Sequence, residues 1–161
     1  MSEDIIFREA VLADAQALFE AHQDSVQNLC SEAYTETQLA LWFEDRTPHI
    51  YRPAIEARQL WLAESGSRVL GFVGFVPGEV TVLFVRKEAA GAGLGSRLFT
   101  LGLERASSGY VGPLSVVATM NSQPFYRKHG FFPIEEDALV RGKAGIQIKV
   151  VKMQRLLAAQ A

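Results

Sequence analysis

Glu79-Val80-Thr81-Val82-Leu83-Phe84-Val85, followed shortly by Ala90-Gly91-Ala92-Gly93-Leu94-Gly95, is the stretch that decides the fold. The first seven residues form an apolar run after the turn at Pro77-Gly78, which predicts a strand. Beyond the glycines, Leu94, Leu98 and Leu101 with Phe99, Leu103 and Ala106 recur at helical spacing and predict a helix with a wide apolar face. A strand, a glycine-rich turn and a helix in that order have a physical use. Helix N-termini leave backbone N–H groups unpaired, and their partial positive charge attracts anions. Glycines, lacking Cβ, let a pyrophosphate approach those donors closely. Two familiar phosphate loops fit poorly. Gly95 is followed by Ser96 with no lysine, and the glycines at 91, 93 and 95 miss the Gly-x-Gly-x-x-Gly spacing. Small residues also suit close packing of a helix on a sheet, so the glycines alone leave both readings open.

Working outward, Ile5-Ile6-Phe7-Arg8 predicts an opening strand, and Asp14 to Gln23 a helix with Ala15, Leu18, Phe19 and Ala21 at helical spacing. Thr35 is a candidate N-cap for a second helix, with Gln38 at the capping-box position. Ile55 to Leu60 predicts another short helix. Leu60 to Glu64, a Ser-Gly-Ser turn and Val69 to Val76 predict a hairpin. Leu114 to Ala118 reads as a buried strand, and Gln123 to His129 as a short helix closed by Gly130. Ile134 to Val140 and Gln147 to Met153 pair as a last hairpin. The sum is one α/β domain over 1–161, without internal repeat or linker, built on one central sheet.

At 161 residues with a net charge of −2, the chain has length for one domain and no basic field for nucleic acid or an anionic membrane. The single cysteine, Cys30, excludes an internal disulfide and suits a reducing compartment. No secretory signal or membrane-length apolar run is visible, so a cytoplasmic location is expected. The oligomeric state stays open, a homodimer included.

Two segments together carry a resemblance. Val82-Leu83-Phe84-Val85 followed by Gly93-Leu94-Gly95-Ser96-Arg97-Leu98 resembles the acetyl-CoA-binding motif of the GNAT N-acetyltransferase superfamily. Asn121-Ser122-Gln123-Pro124-Phe125-Tyr126-Arg127-Lys128-His129-Gly130-Phe131 is similar to that family's second signature, Asn-x-x-x-Phe-Tyr-x-x-x-Gly-Phe. The element order matches over nearly the whole chain, and two motifs in order are far more specific than one. The resemblance implies a mixed, mostly antiparallel sheet flanked by helices on both faces. It implies acetyl-CoA as cosubstrate, with no metal, and transfer of acetyl to a primary amine of a small molecule or peptide. The cofactor segment would comprise Leu83, Phe84 and Val85 against the pantetheine arm, and Ala90, Gly91, Ala92, Gly93, Leu94, Gly95 and Ser96 around the pyrophosphate. Asn121 would steady the cofactor or acyl carbonyl, and Tyr126 would protonate the departing thiolate. Ala90 stands where the family usually has Arg or Gln, which removes one side-chain contribution. Asn121 lies five residues before Tyr126 where many members place it seven before, the position of Thr119 here.

For chemistry, an amine acetylation needs a neutral amine and a proton for the leaving thiolate. Tyr126 is the candidate acid. Glu79, six residues before Val85 where the histone-acetyltransferase branch carries its glutamate, is the candidate base, with a water chain as the alternative. Trp42, His49 and Tyr51 fall where the family builds its acceptor pocket. His129, at a helix end, suits a cationic ring facing the dipole. Cys30 reads as a small buried residue, and without a placed nucleophile the expected mechanism is direct attack in a ternary complex. The competing expectation is a non-catalytic CoA-binding or sensory module of the same fold.

Overall fold

The computed structural model describes residues 4–156. Its seven strands form one sheet in the order β1-β2-β3-β4-β5-β7-β6. The strands are β1 (Ile5–Glu9), β2 (Leu60–Ser65), β3 (Arg68–Val76), β4 (Glu79–Val85), β5 (Leu114–Thr119), β6 (Phe132–Arg141) and β7 (Ile146–Arg155). Neighbours run antiparallel except β4 and β5, which are parallel and joined through a helix. Parallel neighbours need such a crossover, whereas β2–β3, β3–β4 and β6–β7 close through short turns, and β1–β2 and β5–β7 pair across longer stretches of chain. The helices are α1 (Ala15–Leu29), α2 (Glu36–Leu41), α3 (Arg52–Glu56), α4 (Leu94–Ser107) and α5 (Gln123–Lys128).

Helices cover both faces of the sheet, as the resemblance implied. Strand alternation sorts the core: Leu60, Leu62 and Phe72 pack with Leu18, Tyr51 and Ile55 on the α1 and α3 side. Ala63, Val73 and Val80 pack with Leu98, Phe99, Tyr126 and Phe131 on the α4 and α5 side. A third cluster joins Val26, Cys30, Tyr34, Trp42 and Phe43 to Ile148 of β7. Gly102 lets α4 lie against β3, since a Cβ there would stand 2.6 Å from Val73 Cγ2.

Thr35 caps α2 as its sequence predicts: Thr35 Oγ1 accepts from Gln38 N–H at 3.1 Å, and Gln38 Oε1 accepts from Thr35 N–H at 2.9 Å. The helix expected at Ile55–Leu60 lies earlier. Thr47 caps a 3-10 turn at Pro48–Tyr51 that runs into α3 with Pro53 in its first turn. Arg58, at φ 60°, ends that helical path and frees Leu60 to begin β2. α1 continues past Gln23 to Leu29, because Ser25 and Val26 extend its buried face.

Candidate active site

β4 and β5 pair only at Glu79–Ser115 and Val80–Val116, and then diverge. The cause lies in β4, whose register with β3 shifts between Gly74 and Phe75 and leaves Thr81 as an extra residue. A bulge bends and twists its strand, and this one falls just past the last β4–β5 pair. Arg86 N–H donates to Leu70 O at 2.8 Å, which makes that couple a hydrogen-bonded pair of the antiparallel ladder. Alternation turns the backbone groups of Phe84 toward β3 and leaves those of Leu83 and Val85 facing the gap. The gap therefore has a backbone edge with free donors and acceptors.

β4 ends at the loop before α4. Gly91 and Gly93 have φ of 81° and 85°, and open space surrounds the position of a Cβ at each. Backbone conformation, not room, selects glycine there. Gly93 is the N-cap of α4, and Arg97 N–H is the first to find the helix, donating to Gly93 O at 3.1 Å. The N–H groups of Gly91, Ala92, Gly93, Leu94, Gly95 and Ser96 have no partner among the described residues. Ala90 differs, since its N–H donates to Lys87 O at 3.1 Å. The row of free donors thus begins at Gly91, and Ala90 only supports the turn.

Two hollows open along the gap. One, about 140 Å³, has Leu83, Val85, Gly95, Asn121, Phe125 and Cys30 in its wall. The other, about 230 Å³, lies toward α2, β6 and β7 and includes His22, Trp42, Arg46, Leu139 and Arg141. Leu83, Phe84, Thr119, Ser122 and Tyr126 line both. Tyr126, only 5% exposed, stands where they meet, and its hydroxyl has no hydrogen-bond partner among the described residues. Burial pushes the Tyr126 phenol well above its ordinary range, so it stays protonated at any physiological pH. Thr119 Oγ1 and Ser122 Oγ are hydrogen-bonded to each other beside it. Asn121 reaches the smaller hollow, but its Nδ2 donates to Leu29 O at 3.0 Å and braces the end of α1.

Several expected residues fall elsewhere. Glu79 is at the closed end of the gap, paired with Ser115, and lines neither hollow. Four residues of strand, roughly 13 Å, separate it from Leu83. Of the acceptor-side aromatics, Trp42 lines the larger hollow, His49 is exposed, and Tyr51 is buried behind His22, its hydroxyl 2.8 Å from His22 Nδ1. His129 caps α5 at its C-terminal end, but its ring packs on Phe99 and Phe125. Burial, with Arg155 nearby, lowers its affinity for a proton, so a cationic ring there is disfavoured. Cys30 is buried, and its thiol is pushed up to about 11, mainly by desolvation. His22, Arg46 and Arg141 were not anticipated as site residues. No single motif contains them, and only the folded chain brings them to one wall.

The acetyltransferase (GNAT) domain family model matches residues 30–157. The chain belongs to the GNAT acetyltransferase family. Family membership assigns acetyl transfer in general terms. No curated protein matches the sequence. Among solved structures, a GCN5-related N-acetyltransferase from Rhodopseudomonas palustris is similar, with 19% identity, a TM-score of 0.80 and 98% coverage of both chains. The PaiA N-acetyltransferase of Thermoplasma acidophilum, in complex with coenzyme A, gives 17% identity and a TM-score of 0.76, covering 96% of this chain and 99% of that one. YncA of Salmonella typhimurium, a putative acetyltransferase with acetyl-CoA, gives 21% identity and a TM-score of 0.68, covering 98% and 96%. At these identities the likeness establishes the fold.

Proposed function

We propose that this GNAT protein transfers acetyl from acetyl-CoA to a primary amine by direct attack in a ternary complex. The observation that carries the reading is the pair of hollows meeting at Tyr126, one beside a free strand edge and a loop of unpaired N–H groups, the other closed by side chains. Free N–H groups at Gly91–Ser96 suit a pyrophosphate, because they and the α4 N-terminus present converging donors without a Cβ at Gly91 or Gly93. The backbone of Leu83 and Val85 suits the amides of a pantetheine arm, which would extend the sheet where β5 has left it. These donors are backbone atoms, so Ala90 in place of Arg or Gln weakens the site without abolishing it.

In the reaction, the neutral amine nitrogen bonds to the thioester carbonyl carbon, the C–S bond breaks, and the sulfur leaves with its electron pair. Tyr126 supplies a proton to that sulfur and regains one from solvent. Its buried phenol holds the proton until a strong acceptor forms beside it. The amine's own proton passes to water. Glu79 is set aside as the base, given its place at the closed end of the gap.

The test is release of free thiol from acetyl-CoA in the presence of a panel of primary amines. Amine-dependent thiol release, with stoichiometric acetylamine, is the expected result. Calorimetric CoA binding with no release for any amine would overturn the enzyme reading in favour of a CoA-binding module.

A further inference from the structure

The larger hollow has an unusual balance of charge. Arg46, from the turn after α2, and Arg141, at the end of β6, are the charged side chains in its wall, and no Asp or Glu lines it. Neither guanidinium has an ion-pair partner within 4 Å among the described residues. The nearest acids are used otherwise. Glu44 Oε1 accepts from Lys143 N–H at 2.7 Å and Asp45 Oδ1 from Gly142 N–H at 3.1 Å, which pins the β6–β7 turn to the end of α2. Arg141 donates from Nη1 to Val140 O at 3.0 Å, while its Nε is buried without a partner. His22, 7% exposed, also turns toward this wall and has a buried, unpartnered Nε2.

Such an arrangement is unfavourable when nothing binds. Burial first, and then the charge of Arg46, lowers the proton affinity of Arg141, which Asp45 only partly offsets, and the buried Nε–H of Arg141 has no acceptor. An entering carboxylate offsets the unbalanced positive charge. It accepts from the exposed N–H groups of the guanidinium forks and screens the two positive charges from each other. A second cation, such as an acceptor with an extra ammonium, would add to the repulsion instead. The rest of the wall is apolar, with Trp42, Val82, Leu139 and Val150. At about 230 Å³ the hollow is below the ~300–1,000 Å³ usual for drug-sized ligands.

We propose that Arg46 and Arg141 select an acceptor carrying a carboxylate as well as its amine: a small amino acid with an apolar side chain. The proposal rests on the acetyltransferase reading, since it names the acceptor of that same site. The two guanidiniums hold the carboxylate, the apolar wall takes the side chain, and the amine is left directed to Tyr126. Arg46 and Arg141 are thus specificity-determining residues that touch substrate without moving a proton.

The experiment compares leucine, methionine and phenylalanine with their carboxamides, their decarboxylated amines and the matching aminophosphonates, in acetyl-CoA turnover by the intact protein. The expected result is kcat/KM at least tenfold higher for the amino acids than for carboxamides or plain amines. Arg141→Gln and Arg46→Gln should each shrink that preference to about twofold or less. A second arm measures binding by thermal shift with CoA present. There, the amino acid raises Tm in the wild type more than the carboxamide does, and this difference disappears in Arg141→Gln. If no amine turns over but that binding difference is present, the enzyme reading fails and the carboxylate site stands. Equal binding of amino acid and carboxamide overturns the proposal. So does equal or better turnover of the carboxamide, or a tenfold preference for the aminophosphonate.

Discussion

Lowering the pH should expose His22 as a neutral group that the fold refuses to charge. Its ring lies 4.0 Å from the Phe84 ring, 4.8 Å from Phe43 and 5.6 Å from Phe72, centroid to centroid, with Nδ1 against the Tyr51 hydroxyl. Burial, reinforced by the charges of Arg46 and Arg141, lowers its pKa from 6.5 to about 3. The unfolded chain therefore binds one proton that the native state does not, throughout the window between those values. In that window stability falls with falling pH by about 1.4 kcal/mol per unit. From pH 7 to 4.5 the His22 contribution amounts to a loss of roughly 2–3 kcal/mol. Other groups also respond in acid. Asp14, whose carboxyl is held below its ordinary range by Arg8, loses stabilisation in the same direction. A difference measurement isolates the histidine. Urea unfolding of the wild type and of His22→Gln at pH 7 and 4.5, at fixed ionic strength, should show the wild type losing roughly 2–3 kcal/mol more than the variant. Equal losses would refute the argument, because they would mean that His22 is protonated in the native state with no penalty.

The glycine loop can be tested by two alanines of opposite sign. Gly93→Ala puts a Cβ on a residue at φ 85° and should destabilise the protein by about 1–2 kcal/mol despite the open space around it. Gly95→Ala lies inside α4, where the new Cβ would meet Phe125 and Val85 at ordinary contact of 3.7 and 3.8 Å. It should leave stability equal or higher, by up to about 1 kcal/mol. Thermal or urea unfolding separates these outcomes, and a stable Gly93→Ala protein would count against the left-handed N-cap. Cys30, 2% exposed and with its thiol pushed up to about 11, should react with a disulfide reagent at pH 8 at least a hundredfold slower in the native protein than in urea. Comparable rates would show that the thiol is open to solvent.

The elements proposed to position the cosubstrate were legible because their signals are local. A strand ending at Val85, glycines that take left-handed backbone without a Cβ clash, and a helix with a strong apolar face are each written within a few residues. The Asn121–Phe131 segment likewise placed Tyr126 on a short helix beside the gap. Thr35 and Gln38 announced their helix for the same reason. The wall proposed for the acceptor was not legible. Arg46 and Arg141 meet only because the β6–β7 hairpin folds its turn onto the end of α2, through contacts such as Asp45–Gly142 between residues 97 apart in sequence. The α3 helix was misplaced because the cap at Thr47 and the left-handed Arg58 outweighed the apolar pattern from Ile55. Glu79 was attractive by spacing from Val85. Spacing along one strand does not reveal that the neighbouring strand stays paired there and parts from it only after Val80.

A proton-donating Tyr126 where the two hollows meet is tested by Tyr126→Phe in single-turnover acetyl transfer, with CoA affinity measured in parallel. The substitution removes one hydroxyl that has no hydrogen-bond partner among the described residues, so the fold should be retained. The rate of the chemical step should fall about 100-fold or more while the CoA Kd stays within about threefold. A wild-type rate in Tyr126→Phe would contradict that role, as would a rate loss matched by an equal loss of CoA affinity.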